Sequence, residues 1–272
     1  MPIELIAKNL SAGYDRRAIF RHFNLNIPPG KITTLIGANG SGKSTILKTM
    51  ARLLSPLDGT VLLDGASIHS LPTKMVAQKL AMLPQGAQTP AAITVRDLVE
   101  YGRYPYHGRF AGRRSEDEEI VRWALACTNM LELAEREMDE LSGGQRQRAW
   151  IAMALAQKTG LLFLDEPTTY LDISHQLEIL QLLRQLNRTQ GVTVVMVLHD
   201  LNQAVMFSDH LVTIKDGEKY REGAPEDVVT ADMLRDVFDV EAEIIPHPVL
   251  GVPVCLAYGV RGQRFDKEEK EV

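Results

Sequence analysis

A glycine-rich octapeptide most strongly limits what this chain can fold into. The octapeptide at residues 37–44 has the pattern G-x-x-x-x-G-K-S, follows an apolar run that ends at Ile36, and precedes a helical pattern. Glycines let backbone N–H groups converge on phosphate oxygens without a Cβ in the way, and the start of a helix adds positive potential. This context predicts a phosphate-binding loop between a strand and a helix.

The motif assigns roles to side chains within the loop. Lys43 is expected to reach the β- and γ-phosphates of a nucleotide, and the hydroxyl of Ser44 is expected to ligate Mg²⁺. The absence of an N-K-x-D tetrapeptide from the sequence disfavours guanine and leaves ATP as the expected nucleotide. The predicted ATP-binding residues here are Gly37, Ala38, Asn39, Gly40, Ser41, Gly42, Lys43, Ser44 and Thr45.

Short runs of Val, Ile and Leu alternate with longer helical patterns along most of the chain. Strands are predicted at residues 32–36, 80–83, 161–164 and 192–198, and helices at residues 44–54, 145–157 and 174–187. This alternation indicates βαβ crossovers, a mostly parallel sheet and the α/β class. Three brief strands without helices between them, at residues 3–10, 24–27 and 61–64, predict an additional antiparallel sheet near the N-terminus.

Acidic residues and a histidine follow two of the predicted parallel strands. Asp165 and Glu166 follow the run 161–164, and His199 follows the run 192–198. Parallel strands present their carboxyl ends at one edge of a sheet, so these side chains are expected beside the phosphate loop. Asp165 is the candidate Mg²⁺ ligand, Glu166 the candidate group that accepts a proton from attacking water or orients it, and His199 a candidate contact to the γ-phosphate or that water.

The pentapeptide LSGGQ is the second glycine-rich motif. Ser142 and Gln145 have the spacing of a capping box that begins a helix. Two glycines just inside a helix weaken it by about 1 kcal/mol each relative to alanine, which suits a backbone that must approach a phosphate. The motif comprises Leu141, Ser142, Gly143, Gly144 and Gln145.

The phosphate loop, LSGGQ and the run LLFLDE, in this order, resemble the ATPase subunits of ATP-binding cassette (ABC) transporters. The resemblance covers nearly the whole chain and implies an adenine contact by Tyr14, a Mg²⁺ ligand at Gln85, and a D-loop at Leu171 and Asp172. It also makes His199 the switch histidine. Its implied cofactors are ATP and Mg²⁺, and its implied assembly is a head-to-tail dimer in which LSGGQ of one copy closes over ATP bound by the other.

The same resemblance implies a domain organisation. We expect one ABC ATPase domain at residues 1–260, with a helical subdomain at about 94–157 inserted in a RecA-like core. The charge-rich residues 261–272 are expected to form an unpacked tail.

Three segments narrow the resemblance to bacterial importers. Residues 101–106, 169–176 and 198–204 are similar to ATPases that serve ferric-siderophore, haem and cobalamin uptake. This implies an integral-membrane permease, an extracytoplasmic substrate-binding protein, and a peripheral location on the cytoplasmic face of the inner membrane. A catecholate siderophore of the ferric enterobactin type is the preferred cargo, with haem and cobalamin as alternatives.

Composition bears on the competing functions. A net charge of −5 gives no broad attraction to nucleic acid, and Cys127 and Cys255 are too far apart in sequence to suggest a zinc motif. No secretory signal or membrane-spanning apolar run is visible.

The basic, aromatic segment 103–114 fits a solvated loop, a permease-docking surface or a nucleic-acid patch. Three alternatives stay open: a non-transport ABC ATPase acting on nucleic acid or ribosomes, a regulatory nucleotide-binding module, and a small-molecule kinase.

Overall fold

The structure, a computed structural model, describes residues 3–86, 92–107 and 115–262. The strands are β1 Leu5–Tyr14, β2 Arg17–Ile27, β3 Ile32–Gly37, β4 Asp58–Leu63, β5 Ala66–Ser67, β6 Leu80–Leu83, β7 Leu161–Asp165, β8 Thr193–Val197, β9 His210–Lys215, β10 Glu218–Gly223, β11 Val240–Pro246 and β12 Pro253–Val260. The helices are α1 Lys43–Met50, α2 Thr73–Lys79, α3 Val95–Tyr101, α4 Ser115–Cys127, α5 Gly143–Ala156, α6 Ile173–Gln190, α7 Leu201–Phe207, α8 Pro225–Val228 and α9 Ala231–Phe238.

A six-stranded sheet in the order β10-β9-β3-β8-β7-β6 forms the centre of the fold. Strands β9, β3, β8, β7 and β6 pair in parallel, and β10 pairs with β9 in the antiparallel sense. Every residue of β3, β7 and β8 is buried, as expected for parallel strands that are covered on both faces. The predicted α/β class is confirmed.

Apolar side chains fill the space on both faces of this sheet. Phe163 and Val195 belong to one hydrophobic cluster, while Leu162 and Val194 belong to the other. Adjacent residues of a strand point to opposite faces, so each buried strand contributes to both clusters. The carboxyl ends of the strands are thereby held in fixed positions relative to one another.

The first strands form a separate antiparallel sheet in the order β2-β1-β4-β5, which confirms the predicted antiparallel subdomain. The predicted boundaries were wrong, because β1 continues to Tyr14 and pairs with a much longer β2 than expected. Register shifts interrupt the pairing, including one between Ala7 and Leu10. These shifts break the simple alternation of apolar and polar residues that a sequence-based boundary depends on.

Helices α3, α4 and α5 lie between β6 and β7 along the chain. Thr94 begins α3 with a capping box that includes Asp97. Apolar residues of all three helices, among them Leu98, Val121 and Ile151, pack in one hydrophobic cluster. The division of the chain into a core and an inserted lobe stays a prediction. Most of the basic segment 103–114 and residues 263–272 of the predicted tail lie outside the described residues.

The strands after residue 198 were not predicted from the sequence. Strands β11 and β12 form a two-stranded antiparallel sheet, and β12 lies against α7. The side chain of Asn202 on α7 accepts from the backbone N–H of Cys255 at 2.8 Å and donates to its carbonyl at 3.3 Å. None of the helices in the described parts of the chain combines the length and the apolar character needed to cross a bilayer.

We expect Asp117→Ala to destabilise the fold. Nε of Arg103 donates to Oδ1 of Asp117 at 2.8 Å, and both residues are buried. Removing the carboxylate leaves a buried guanidinium without its counter-charge, which costs about 3–5 kcal/mol of unfolding free energy. Urea denaturation measures the loss.

A matched variant and the pH dependence make this test specific. Glu135→Ala breaks the ion pair with Arg96, in which the Glu135 side chain is 75% exposed, and is expected to cost at most about 1 kcal/mol. Burial acts to raise the pKa of Asp117, but hydrogen bonds from Arg103 and His107 outweigh it and lower that pKa. The stabilisation by Asp117 is therefore present above its unfolded-state pKa and lost as the pH falls through the folded-state pKa. Equal destabilisation by the two substitutions would contradict the role of Asp117 as the buried counter-charge of Arg103.

Candidate nucleotide-binding and catalytic site

The glycine-rich loop connects β3 to α1, as its sequence context predicted. Gly37 has a φ of +155°, and a Cβ there would lie 2.1 Å from the carbonyl oxygen of Ile214 on β9. Gly40 has a φ of +78°, and a Cβ there would meet no atom within 4 Å. The two glycines therefore serve different purposes: Gly37 lets the loop pass close to the neighbouring strand, and Gly40 lets the backbone turn at an open surface.

Lys43 is folded into the loop that precedes it. Its Nζ donates to the carbonyl oxygens of Gly37 and Ala38, each at 2.9 Å, and the residue is 5% exposed. Burial lowers the pKa of Lys43, while the charges of Glu166 and Asp165 act in the opposite direction. A buried ammonium held by carbonyl oxygens is a cation positioned to exchange those partners for phosphate oxygens.

Ser44 and Asp165 meet beside the loop. Oγ of Ser44 donates to Oδ1 of Asp165 at 2.8 Å. Asp165 is 1% exposed, and its Oδ2 is buried without a hydrogen-bond partner, with Nζ of Lys48 4.0 Å away. Burial raises the pKa of Asp165, and the hydrogen bond from Ser44 opposes that shift. The carboxylate therefore presents one buried oxygen that is free to accept a further ligand.

Glu166 receives three side-chain contacts at the carboxyl end of β7. Its Oε1 lies 2.6 Å from Nε2 of His199, and its Oε2 accepts from Nε2 of Gln85 at 2.6 Å and from Oγ1 of Thr169 at 3.1 Å. Three separate segments of the chain thus hold this carboxylate, which is 9% exposed. Gln85 lies at the predicted sheet edge, and its role as a Mg²⁺ ligand stays a prediction.

The contact from Thr169 was not predicted. A threonine three residues after a strand-end glutamate is the signal that the sequence offers, but the same spacing is common in ordinary turns. Only the backbone conformation of Glu166, with a φ of +56°, makes the contact specific, because it turns the chain back toward the carboxylate.

The LSGGQ motif begins α5 with the predicted capping box. Oγ of Ser142 accepts from the backbone N–H of Gln145 at 3.2 Å, and Oε1 of Gln145 accepts from the backbone N–H of Ser142 at 3.0 Å. Leu141 is buried, whereas Ser142 and Gly143 are exposed. The predicted capping box is confirmed. At the start of α5, the motif presents glycine backbone to the solvent.

The predicted D-loop residues, Leu171 and Asp172, follow Glu166 closely along the chain. Leu171 is buried, and a Cβ on Gly144 would lie 3.0 Å from its Cδ2. Asp172 is the N-cap of α6, where its side chain accepts from the backbone N–H of His175 at 2.9 Å, and this hydrogen bond lowers its pKa. Tyr170 is 83% exposed.

A cavity of about 580 Å³ is lined by residues of both regions. Its lining includes Gln85, Glu166 and Tyr170 together with Gly143, Arg146 and Trp150 of α5. Tyr14 ends β1 with a half-exposed ring, and its predicted contact with adenine stays a prediction.

Comparisons with known proteins agree with this geometry. The ABC transporter family model matches residues 20–169. The iron(3+)-hydroxamate import ATP-binding protein FhuC of Bacillus subtilis (strain 168) is 52% identical over 268 residues, covering 98% of both proteins. The ferric enterobactin transport ATP-binding protein FepC of Escherichia coli (strain K12) is 46% identical over 255 residues, covering 94% of both proteins.

Solved structures show the same fold. The chain superposes on an inward-facing metal-chelate type ABC transporter with a TM-score of 0.81 and 29% identity, covering 95% of this chain and 98% of that one. It superposes on a dimeric ATP-binding cassette in a post-hydrolysis state, bound to ADP and phosphate, with a TM-score of 0.73 and 32% identity, covering 81% of this chain and 98% of that one.

Substitutions at two loop glycines are expected to have unequal effects. Gly40→Ala places a side chain in open space and incurs only the left-handed backbone penalty, about 1–2 kcal/mol. Gly37→Ala incurs a backbone penalty and also forces β3 away from the Ile214 carbonyl, so it should lower the thermal unfolding midpoint much further and abolish binding of a fluorescent nucleotide. Equal effects on both measurements would contradict the close approach at Gly37.

Proposed function

Because the chain belongs to the ABC transporter family, as its sequence predicted, we propose that it is the ATP-hydrolysing subunit of a bacterial iron-siderophore importer. The observation that carries the proposal is the contact between Glu166 and His199 at the sheet edge that also holds the phosphate loop. The names of the relatives FhuC and FepC supply the transport context.

ATP binding is assigned to the phosphate loop. The backbone N–H groups of residues 37–45 and the start of α1 bind the phosphates, and the ammonium of Lys43 moves from its carbonyl partners to the β- and γ-phosphate oxygens. Tyr14 stacks on the adenine ring. The buried position of Lys43 supports this role, because a desolvated cation interacts more strongly with an incoming anion.

Ser44 and Asp165 fit a Mg²⁺ site, with Gln85 as the third protein ligand. A hydroxyl and a buried carboxylate oxygen without a hydrogen-bond partner are ligands of the kind that Mg²⁺ takes. No cluster of three or more His, Cys, Asp or Glu residues that could hold a metal occurs in the described residues. When bound, Mg²⁺ neutralises charge on the β- and γ-phosphates.

Glu166 and His199 carry out the remaining chemistry. Glu166 accepts a proton from the attacking water or orients it, which contributes about 10²–10⁴ in rate. His199 donates its Nε2 hydrogen to Oε1 of Glu166, fixes the direction of that carboxylate and contacts the γ-phosphate. Gln85 and Thr169 hold the other carboxylate oxygen, so the group is oriented before ATP arrives.

Each chain provides half of a complete site. Residues 141–145 present an exposed helix start with two glycines, which suits binding of a phosphate that another molecule carries. In a head-to-tail dimer, the LSGGQ motif of each copy closes over ATP bound to the phosphate loop of the other, and Leu171 and Asp172 lie at the interface. The dimeric cassette with ADP and phosphate supports this assembly.

Glu166→Gln tests the catalytic assignment. The amide cannot accept a proton from water, so turnover should fall by about 10²–10⁴, while the phosphate loop stays intact and ATP binding is retained. Size-exclusion chromatography should show a dimer that accumulates with ATP. Wild-type hydrolysis by the variant would contradict the role of Glu166.

The importer assignment includes a membrane permease and an extracytoplasmic substrate-binding protein, with the chain at the cytoplasmic face of the inner membrane. ATP-driven closing and opening of the dimer would move the permease between inward- and outward-facing states. The full name of FhuC specifies iron(3+)-hydroxamate import, and that of FepC specifies ferric enterobactin transport. A ferric siderophore is therefore the proposed cargo class, with the catecholate type preferred and haem or cobalamin as alternatives.

Co-purification from native membranes tests the importer assignment. The tagged chain is expected to recover a permease, and the reconstituted complex should increase its ATPase rate when a binding protein loaded with ferric siderophore is added. Glu166→Gln is the control, because it should recover the same permease without any stimulated turnover. An ATPase rate that responds to no membrane partner, or one that responds to RNA in a salt-dependent way, would overturn the assignment.

A further inference from the structure

The loop between Glu166 and Asp172 is held in a conformation that its sequence does not favour. Glu166 and Tyr170 have φ values of +56° and +66°, although neither is a glycine. Left-handed conformations are unfavourable for residues with long side chains and persist only where surrounding contacts fix them. The contacts that fix this loop therefore also determine where the carboxylate of Glu166 points.

Glutamine side chains supply several of these contacts. Nε2 of Gln176, on α6, donates to the carbonyl oxygen of Leu171 at 3.0 Å and to that of Thr168 at 3.3 Å. From α5, Nε2 of Gln147 donates to the carbonyl oxygen of Pro167 at 3.2 Å. The loop backbone is thus held from two helices at three of its carbonyl groups.

Gln176 is itself held by a third helix. Its Oε1 accepts from Nε2 of Gln203 on α7 at 2.6 Å, and Gln203 is 7% exposed. We call Gln176 and Gln203, with the hydrogen bond between them and the bonds from Gln176 to the loop, the glutamine bridge. With its carbonyl engaged by Gln203 and its amide by two loop carbonyls, Gln176 has a fixed orientation.

Gln203 is also connected to His199 through the start of α7. The backbone N–H of Gln203 donates to Oδ1 of Asp200 at 2.8 Å. Asp200 is the N-cap of α7 and directly follows His199. His199 in turn contacts Glu166 at 2.6 Å. The contacts close a ring that runs from Glu166 through the loop, Gln176, Gln203 and the start of α7 back to Glu166.

We propose that the glutamine bridge positions Glu166 and His199 relative to each other and links their geometry to that of the D-loop. Gln176 and Gln203 are positioning residues, because neither touches the phosphate loop or the reacting groups. The inference rests on the proposed roles of Glu166 and His199 in hydrolysis. A shift of the D-loop at the dimer interface would pass through Gln176 and Gln203 to the start of α7, which follows His199.

Gln176→Met and Gln203→Met remove the hydrogen bonds while keeping the length of the side chain. Each variant of the full-length chain is expected to lose about tenfold in kcat, with the KM for ATP unchanged within about twofold. The double variant should be little slower than either single variant, because both substitutions break the same connection. Steady-state ATPase kinetics measure these values.

Asn187→Leu is the matched control on the same helix. Its Nδ2 donates to the carbonyl oxygens of Gly30 at 2.9 Å and Val192 at 2.8 Å, far along α6 from the loop. It should lower the unfolding midpoint as much as Gln176→Met does, yet leave kcat unchanged at temperatures where the chain stays folded. A loss of kcat in this control comparable to that in Gln176→Met would show that general destabilisation explains the effect, and would overturn the bridge.

Gln176→Glu tests the bridge if the methionine variants fail to fold. A carboxylate still accepts from Gln203 but cannot donate to the carbonyls of Thr168 and Leu171, so kcat should again fall about tenfold at unchanged KM. Wild-type kcat in this variant, or multiplied losses in the double methionine variant, would overturn the proposal. The result is separable from the proposed function, because wild-type hydrolysis and its loss in Glu166→Gln are measured without altering the bridge.

Discussion

The parallel register of four strands is the constraint on which the site depends. Leu35 of β3 pairs with Val197 of β8, and Val197 pairs with Asp165 of β7. In the next strand, Leu83 of β6 pairs with Leu164. Each of the four strands ends within one or two residues of these paired positions, at the same edge of the sheet. The phosphate loop, Gln85, Glu166 and His199 therefore meet at that edge. A shift of one residue in any of these pairings would turn side chains to the opposite face of the sheet.

Burial of charge is the cost of this arrangement, and hydrogen bonds offset it. Lys43 is enclosed by loop carbonyls, Asp165 by Ser44, and Glu166 by His199, Gln85 and Thr169. A buried charge that is hydrogen-bonded keeps its position, and in a region of low dielectric it acts strongly on an incoming charge. The remaining buried oxygen of Asp165 has no hydrogen-bond partner. Hydrogen bonds therefore hold these charged side chains in position, and one buried carboxylate oxygen is left to accept a further partner.

Much of this site could be predicted because its parts are encoded locally. The glycine spacing at residues 37–44 and the strand 80–83 depend on neighbours in sequence, and the structure places both as expected. The ends of β1 were missed because register shifts hide the alternation of its residues. The left-handed turn at Glu166 and the hydrogen bond between Gln176 and Gln203 were missed for a different reason. They depend on side chains from separate helices, and a glutamine in a helical pattern gives no indication of which carbonyl it will reach.

In the proposed dimer, the phosphate loop of one chain and the LSGGQ motif of another enclose one ATP. Disulfide cross-linking tests it most directly, with Asn39→Cys in one chain and Ser142→Cys in the other, in a background where Cys127 and Cys255 are replaced by serine. Glu166→Gln in both chains prevents turnover. We expect a covalent dimer only when both chains are mixed and ATP is present. Cross-linking without ATP, between two copies carrying the same cysteine, or not at all would contradict it.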